Sequence, residues 1–156
     1  MPVYESVLLF PVATPGLSRS RIRAFAARLE SEVARGRTFC CLITSDKQLR
    51  RLNRDFLSHD SPTDVLSFPA GSQPARSPLA DRKFLGEMAI SIQAAARQAR
   101  DQGHNLTEEV KILMLHGVLH LLGMDHETDG GRMSAAEKRW RVRLGLPVGL
   151  IERVSA

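Results

Sequence analysis

The sequence lacks the features of membrane-spanning proteins, secreted proteins and disulfide scaffolds. No apolar run approaches the ~18 residues that a transmembrane helix requires. The first residues have neither the basic region nor the cleavage site of a signal peptide. The two cysteines, Cys40 and Cys41, are adjacent, so in a strand they point to opposite faces and suit neither a disulfide nor a shared metal. These absences predict a cytoplasmic protein without membrane contact.

Charge of one sign is not concentrated in blocks, because no run of five like charges occurs. The formal net charge is nevertheless +5, and 18 of the 22 basic residues are arginine. Arginine pairs bidentately with phosphate, so this bias is compatible with a nucleic-acid partner. A GC-rich genome that encodes arginine in place of lysine explains the same composition with solvated charges, and both interpretations stay open.

The pattern of apolar residues predicts one α+β domain over residues 1–156. A length of 156 residues with 43% apolar and 25% charged residues is ordinary for a globular domain. The predicted strands are Val7–Phe10, Thr38–Thr44, Asp64–Phe68 and part of Phe84–Ile92. The predicted helices begin near Ser18 or Ser20 and at Ser45, and span Gln93–Gln102, Leu106–Leu122 and about Ser134–Leu144. Asp60–Pro62 is predicted to form a turn and Ala70–Asp81 an exposed loop. A small mixed sheet of about four strands, covered by five or so helices, accommodates these elements.

The segment 110–122 is apolar nearly all round, which predicts a buried helix, yet it contains His116 and His120. Residues four apart lie on one helix face, with Cβ atoms about 5–6 Å apart. Buried imidazoles need partners, and one divalent metal would serve both. Gly123 suits the left-handed turn that ends a helix, and His126 follows it. The resulting pattern, His-x3-His-x5-His, predicts a metal site on this helix and the turn after it.

Three histidines with an open water position are typical of a catalytic zinc site, whereas two core histidines and a third on the surface are the alternative. The spacing equals that of metzincin proteases, but Gly117 stands where those enzymes have their general-base glutamate. Three neutral ligands leave the charge of the metal uncompensated, which favours an anionic substrate such as an RNA or DNA phosphodiester. His59 and His104 are isolated and are predicted to be ordinary surface residues.

Three blocks of the sequence resemble the YbeY family of bacterial metal-dependent endoribonucleases. LHGVLHLLGMDHE at Leu115–Glu127 is similar to the family signature. LNRDFLSHDSPTDVLSFP at Leu52–Pro69 and LGEMAISIQAAARQARDQGH at Leu85–His104 are similar to two further family segments. The blocks cover about a third of the chain in family order, and Met133 and Glu137 extend the match.

This resemblance implies one zinc ion per chain, bound by His116, His120 and His126, and cleavage of single-stranded RNA. An activated water or the 2′-hydroxyl of the substrate would attack the phosphodiester. The resemblance also implies cytoplasmic maturation of the 16S ribosomal RNA 3′ end and ribosome quality control, with ribosomal RNA as substrate and ribosomal proteins or assembly GTPases as partners.

Two other functions stay open on the sequence alone. One is a non-enzymatic ribosome-assembly factor with a structural metal, for which the nearby candidates for a fourth ligand are Asp125, Glu127 and Asp129. The other is a metzincin-like metalloprotease that lacks the usual glutamate.

The chain departs from the family pattern at Leu57, where better-known members have an arginine thought to act on the phosphate. The candidates to replace it as a phosphate contact are Arg54, His59 and Arg132. A solvated charge is the alternative for each of them. By the same resemblance Ser67 and Phe68 lie near the site, although both could simply pack along their strand.

Overall fold

The computed structural model describes residues 6–57, 63–70, 83–124 and 131–148. These residues form four strands, β1 (Val7–Leu9), β2 (Thr38–Thr44), β3 (Val65–Pro69) and β4 (Phe84–Ser91). They also form five α-helices, α1 (Arg19–Arg28), α2 (Asp46–Leu57), α3 (Ile92–Gln102), α4 (Leu106–Leu121) and α5 (Arg132–Leu144). A π-helical turn at Leu29–Val33 extends α1.

The predicted α+β class is confirmed, and the predicted helix starts are correct to within a residue or two. The Ser18 hydroxyl caps α1 by accepting the amide of Arg21 at 3.4 Å, and Ser45 accepts the amide of Gln48 at 3.2 Å before α2. Such caps satisfy backbone donors that the first helical turn leaves without partners. The predicted turn 60–62 and the predicted loop after Ala70 lie outside the described residues.

The sheet has the strand order β1-β2-β4-β3. β1 and β4 both run parallel to β2, and β3 lies antiparallel to β4 at one edge. Gly86 in β4 has φ +138°, and a Cβ there would lie 2.3 Å from the carbonyl oxygen of Phe68. Only glycine fits this close approach of the two strands. The register of β4 with β2 shifts at the same level, between Thr38 and Phe39.

Helices cover both faces of the sheet. On one face the strands direct residues such as Cys41 and Met88 into the main core, which they share with α1 and α4. On the other face α2 packs Leu49 against Leu66 and Ala89. No helix in the described part of the chain is long and apolar enough to cross a membrane. Because alternate residues of a strand face opposite sides, the edge strand β3 contacts both helical layers.

Candidate metal centre

His116 and His120 lie one turn apart on the same face of α4, near the C-terminal end of the helix. Their Nε2 atoms are 3.2 Å apart, and the rings meet edge to face with centroids separated by 4.7 Å. The side chain of His116 is 20% exposed, so the pair is accessible while the rest of α4 is largely buried. The structure therefore brings together two of the three predicted metal ligands.

The geometry of this pair fits a shared zinc ion. Two nitrogen ligands at about 2.0–2.1 Å from a tetrahedral zinc are about 3.3–3.4 Å apart, close to the separation seen here. The other ring nitrogen of His116, Nδ1, lies 3.4 Å from Oε1 of Glu137. A proton on Nδ1 that points to this carboxylate leaves the lone pair on Nε2, the nitrogen that faces His120.

Glu137 reaches His116 from α5 and is itself buried beside a cation. Its Oε1 lies 3.7 Å from Nη2 of Arg141, whose side chain is 1% exposed. Nη1 of Arg141 donates to the carbonyl oxygen of Pro147 at 3.4 Å. A buried carboxylate is costly unless an opposite charge and hydrogen bonds compensate it. Sequence reasoning named Glu137 only within the family match and missed its pairing with His116.

Gly117, next to the first histidine, lies where α4 packs closely on the sheet. A Cβ at this position would lie 2.8 Å from Sδ of Met88 on β4. The Ser67 hydroxyl of β3 donates to the carbonyl oxygen of Gly117 at 3.4 Å. A glutamate in place of Gly117 would have to displace Met88, so the packing favours glycine at the position where metzincins have their general base.

Several predicted site residues lie outside the described residues, namely His59, Asp125, His126, Glu127 and Asp129. Among the described residues, no three His, Cys, Asp or Glu side chains form a complete metal site. Arg132 is exposed at the start of α5. Arg54 is exposed on α2, where its Nε lies 3.3 Å from Oδ1 of Asp55. Phe68 faces α2 and meets Phe56 edge to face, so Ser67 alone of these two β3 residues faces α4.

The prediction that His104 is a surface residue is wrong. Its side chain is 9% exposed, and its Nε2 lies 2.5 Å from Oε1 of Glu109, which is completely buried. Gly103 ends α3 in the left-handed conformation and turns the chain back towards α4, which places His104 over the first turn of that helix. The available signal was Glu109 itself, because a carboxylate in a buried helix needs a partner.

The two cysteines are placed as predicted, on opposite faces of β2. Cys41 is buried in the main core, and Cys40 lines an apolar cavity of about 290 Å³ between the sheet and α2. Burial raises the pKa of the Cys41 thiol, and the neighbouring Cys40 adds to this effect. Burial, reinforced by Glu87, also raises the pKa of Cys40. Protonated thiols are poor metal ligands and poor nucleophiles, so neither cysteine is a candidate for a reactive centre.

Comparison with known proteins gives consistent matches along the chain. The family model described as Endoribonuclease YbeY matches residues 18–144. A Solibacter usitatus protein named Endoribonuclease YbeY is 54% identical over 151 residues, covering 97% of this chain and 96% of that protein. A Koribacter versatilis protein of the same name is 43% identical over 140 residues, covering 90% and 86%. A solution structure of a Thermotoga maritima protein is similar in fold, with a TM-score of 0.55 and 23% identity over 90% of this chain and 93% of that chain.

Proposed function

The chain belongs to the endoribonuclease YbeY family, and from this premise we propose that it cleaves single-stranded RNA at a zinc centre formed by His116, His120 and His126. As a member of this family it is an endoribonuclease, a hydrolase that acts on RNA. The observation that carries the metal assignment is the 3.2 Å separation of the Nε2 atoms of His116 and His120. His126 is included because its spacing after Gly123 matches the family signature.

The described residues supply the support that such a centre needs. Bound zinc would act as a Lewis acid that stabilises the negative charge developing on the phosphoryl group. Glu137 accepts a hydrogen bond from the Nδ1–H group of His116. This contact holds the ring in one orientation and leaves Nε2 as the atom that would bind the metal. Arg141 offsets the charge of that carboxylate in the protein interior. Ser67, through the carbonyl oxygen of Gly117, joins the edge strand to the helix that carries both histidines.

The biological role that we propose is maturation of the 16S ribosomal RNA 3′ end and ribosome quality control in the cytoplasm. The partners would be single-stranded regions of ribosomal RNA, together with ribosomal proteins or assembly GTPases. Family membership and the arginine-rich net charge of +5 support this role. A polyanionic ribosomal particle is an electrostatically favourable environment for a basic protein.

The experiment compares the wild type, His120→Ala and Glu108→Gln on a labelled single-stranded RNA, with all three proteins purified side by side. Glu108 lies on the same helix, twelve residues or about 18 Å from His120 along the axis, and serves as the matched control. We expect the wild type and Glu108→Gln to cut the RNA and to hold one zinc per chain. We expect His120→Ala to lose both the zinc and the cleavage.

Each contrary result has a distinct meaning. Equal cleavage by His120→Ala and the wild type would identify the activity as a contaminating nuclease and reject the proposal. Full zinc content in His116→Ala, His120→Ala or His126→Ala would remove that histidine from the ligand set. A wild type that holds zinc but leaves RNA intact would favour the assembly-factor alternative. Mass spectrometry of the products distinguishes attack by water from attack by the 2′-hydroxyl, because only the latter leaves a 2′,3′-cyclic phosphate.

A further inference from the structure

The outer surface of α2 carries a basic groove that is separate from the histidine pair. The groove has a volume of about 190 Å³ and is lined by Lys47, Arg50, Arg51 and Arg54. All four side chains are exposed. Their spacing of three, four and seven residues from Lys47 puts them on one face of the helix. The opposite face packs Leu49 on the sheet, so the basic face points to solvent.

The formal charge of α2 is positive, because its four basic residues outnumber its two acidic residues, Asp46 and Asp55. Asp46, in the first turn, accepts a hydrogen bond from the Ser91 hydroxyl and pairs with Nη1 of Arg97 at 2.9 Å. Arg97 belongs to α3, so a cation from outside the helix balances this carboxylate. Asp55 pairs with Arg54. The groove as a whole carries three arginines and a lysine, and arginine matches the geometry of phosphate oxygens.

The length of the groove suits a single strand of nucleic acid. Lys47 and Arg54 are seven residues apart, which is about 10 Å along a helix. At about 3.4 Å per nucleotide of a stacked strand, this distance corresponds to roughly three phosphates. The chain belongs to an endoribonuclease family, so RNA is the polyanion that this groove meets, which favours single-stranded RNA over an acidic protein as the occupant.

The groove and the histidine pair lie on opposite sides of the sheet. α2 packs on the face formed by Leu66 and Ala89, whereas α4 packs on the face formed by Met88 and Ser67. The edge strand β3 and its neighbour β4 both contact α2 and α4. A strand of RNA bound at both places therefore has to reach from one side of the sheet to the other, and a short oligonucleotide occupies only one of them.

We propose that the α2 groove is an exosite that binds the phosphates of single-stranded RNA outside the metal centre. This inference rests on the proposed function and deepens it. It assigns Arg54 to the exosite and not to the reacting phosphate, although sequence reasoning considered Arg54 as the replacement for the family arginine at Leu57. The exosite raises the affinity for long RNA and contributes little to short RNA.

The test compares two double variants, each of which lowers the net charge by two. Arg50→Gln with Arg51→Gln changes the groove, and Arg21→Gln with Arg28→Gln changes two exposed arginines of α1 as the matched control. Both are compared on RNAs of about 6 and about 24 nucleotides. Binding is also measured by fluorescence anisotropy in the His120→Ala background, where no cleavage interferes. Circular dichroism verifies the helix content of every variant.

We expect the KM for the long RNA to rise roughly tenfold in the groove variant relative to the α1 variant, with a much smaller change for the short RNA. The dependence of log affinity on log salt should become less steep by about 1.4, which is the contribution of two single-strand phosphate contacts. The same loss of affinity should appear in the anisotropy measurement.

Two results would overturn the exosite. One is equal affinity of the two double variants for the long RNA. An acidic protein would then be the remaining candidate ligand of this groove. The other is an equal loss on short and long RNA, which would place these arginines at the reacting phosphate. Failure of the proposed function is a separate result, because it appears as a wild type that cuts neither RNA, whatever the anisotropy shows for the groove.

Discussion

Oε1 of Glu137 lies 3.4 Å from Nδ1 of His116, the ring nitrogen on the far side from His120. This contact joins α5 to α4 and fixes which nitrogen of His116 faces the candidate metal position. The same carboxylate lies 3.7 Å from the buried guanidinium of Arg141. The orientation of a candidate ligand is therefore set by a charged pair on a neighbouring helix.

Glu137→Gln tests this relationship with little change in side-chain shape. The neutral amide is a weaker acceptor for the Nδ1 proton, so we expect zinc affinity to fall roughly tenfold, at the lower end of the range for partners of metal-bound histidines. Competition with a chromophoric chelator at neutral pH measures the affinity, and Glu108→Gln on α4 is the control. An unchanged affinity in Glu137→Gln would show that the carboxylate does not support the ligand.

The sequence predicted the parts of this site that depend on local geometry. The meeting of His116 and His120 follows from their spacing of four residues, since helical periodicity alone brings them together. Glu137 is 21 residues from His116, and Ser67 is 50 residues from Gly117. These contacts depend on how α5 and β3 pack against α4, which no periodicity within one segment specifies.

The bounds of the strands and the burial of His104 show the same limit: local sequence predicts what depends on one segment and misses contacts between segments. β2 was predicted with its observed bounds because Thr38–Thr44 is a continuous apolar and β-branched run between polar residues. β3 begins one residue later and ends one residue later than predicted, at Pro69, which the edge position tolerates. The burial of His104 was missed because its partner Glu109 belongs to the next helix.

Gly117→Ala is expected to lower the free energy of unfolding by about 1 kcal/mol. Alanine improves helix propensity by about 1 kcal/mol. Its Cβ would however lie 2.8 Å from Sδ of Met88, and overpacking of this kind costs about 1–3 kcal/mol. In a Met88→Ala background the clash is absent, so the same substitution should become neutral or stabilising. Urea denaturation of the four proteins gives the coupling energy. The same destabilisation in both backgrounds would refute the contact.

His104→Leu is expected to lower the free energy of unfolding by about 3 kcal/mol, far more than a surface substitution would. The substitution leaves the carboxylate of Glu109, which is completely buried, without its imidazole partner. His104→Leu combined with Glu109→Leu should cost less than the single change, because no charge then remains in the core. Urea denaturation at neutral pH measures both. A loss below about 0.5 kcal/mol for His104→Leu would mean that the residue behaves as a surface histidine after all.

The Cys41 thiol should make the folded protein less stable as the solution becomes alkaline. Burial raises its pKa in the folded state above the ordinary value of 9.0. In the unfolded chain the thiol loses its proton near pH 9, whereas in the folded protein the buried thiol is still protonated at that pH. Its contribution to stability is fully present below that pH and is lost as the pH rises, at about 1.4 kcal/mol per pH unit for one proton.

Cys41→Ala isolates this effect, because it removes the thiol and leaves Cys40 in place. Chemical denaturation at several pH values between about 8 and 10.5 gives the slope of stability against pH for both proteins. The wild-type slope should be more negative than the variant slope by close to one proton above pH 9. The variant is less stable at every pH because of its smaller side chain. The prediction is therefore tested by the slope of stability against pH and not by the absolute stability. Parallel slopes would mean that the thiol ionises equally in both states, which contradicts its burial in the main core.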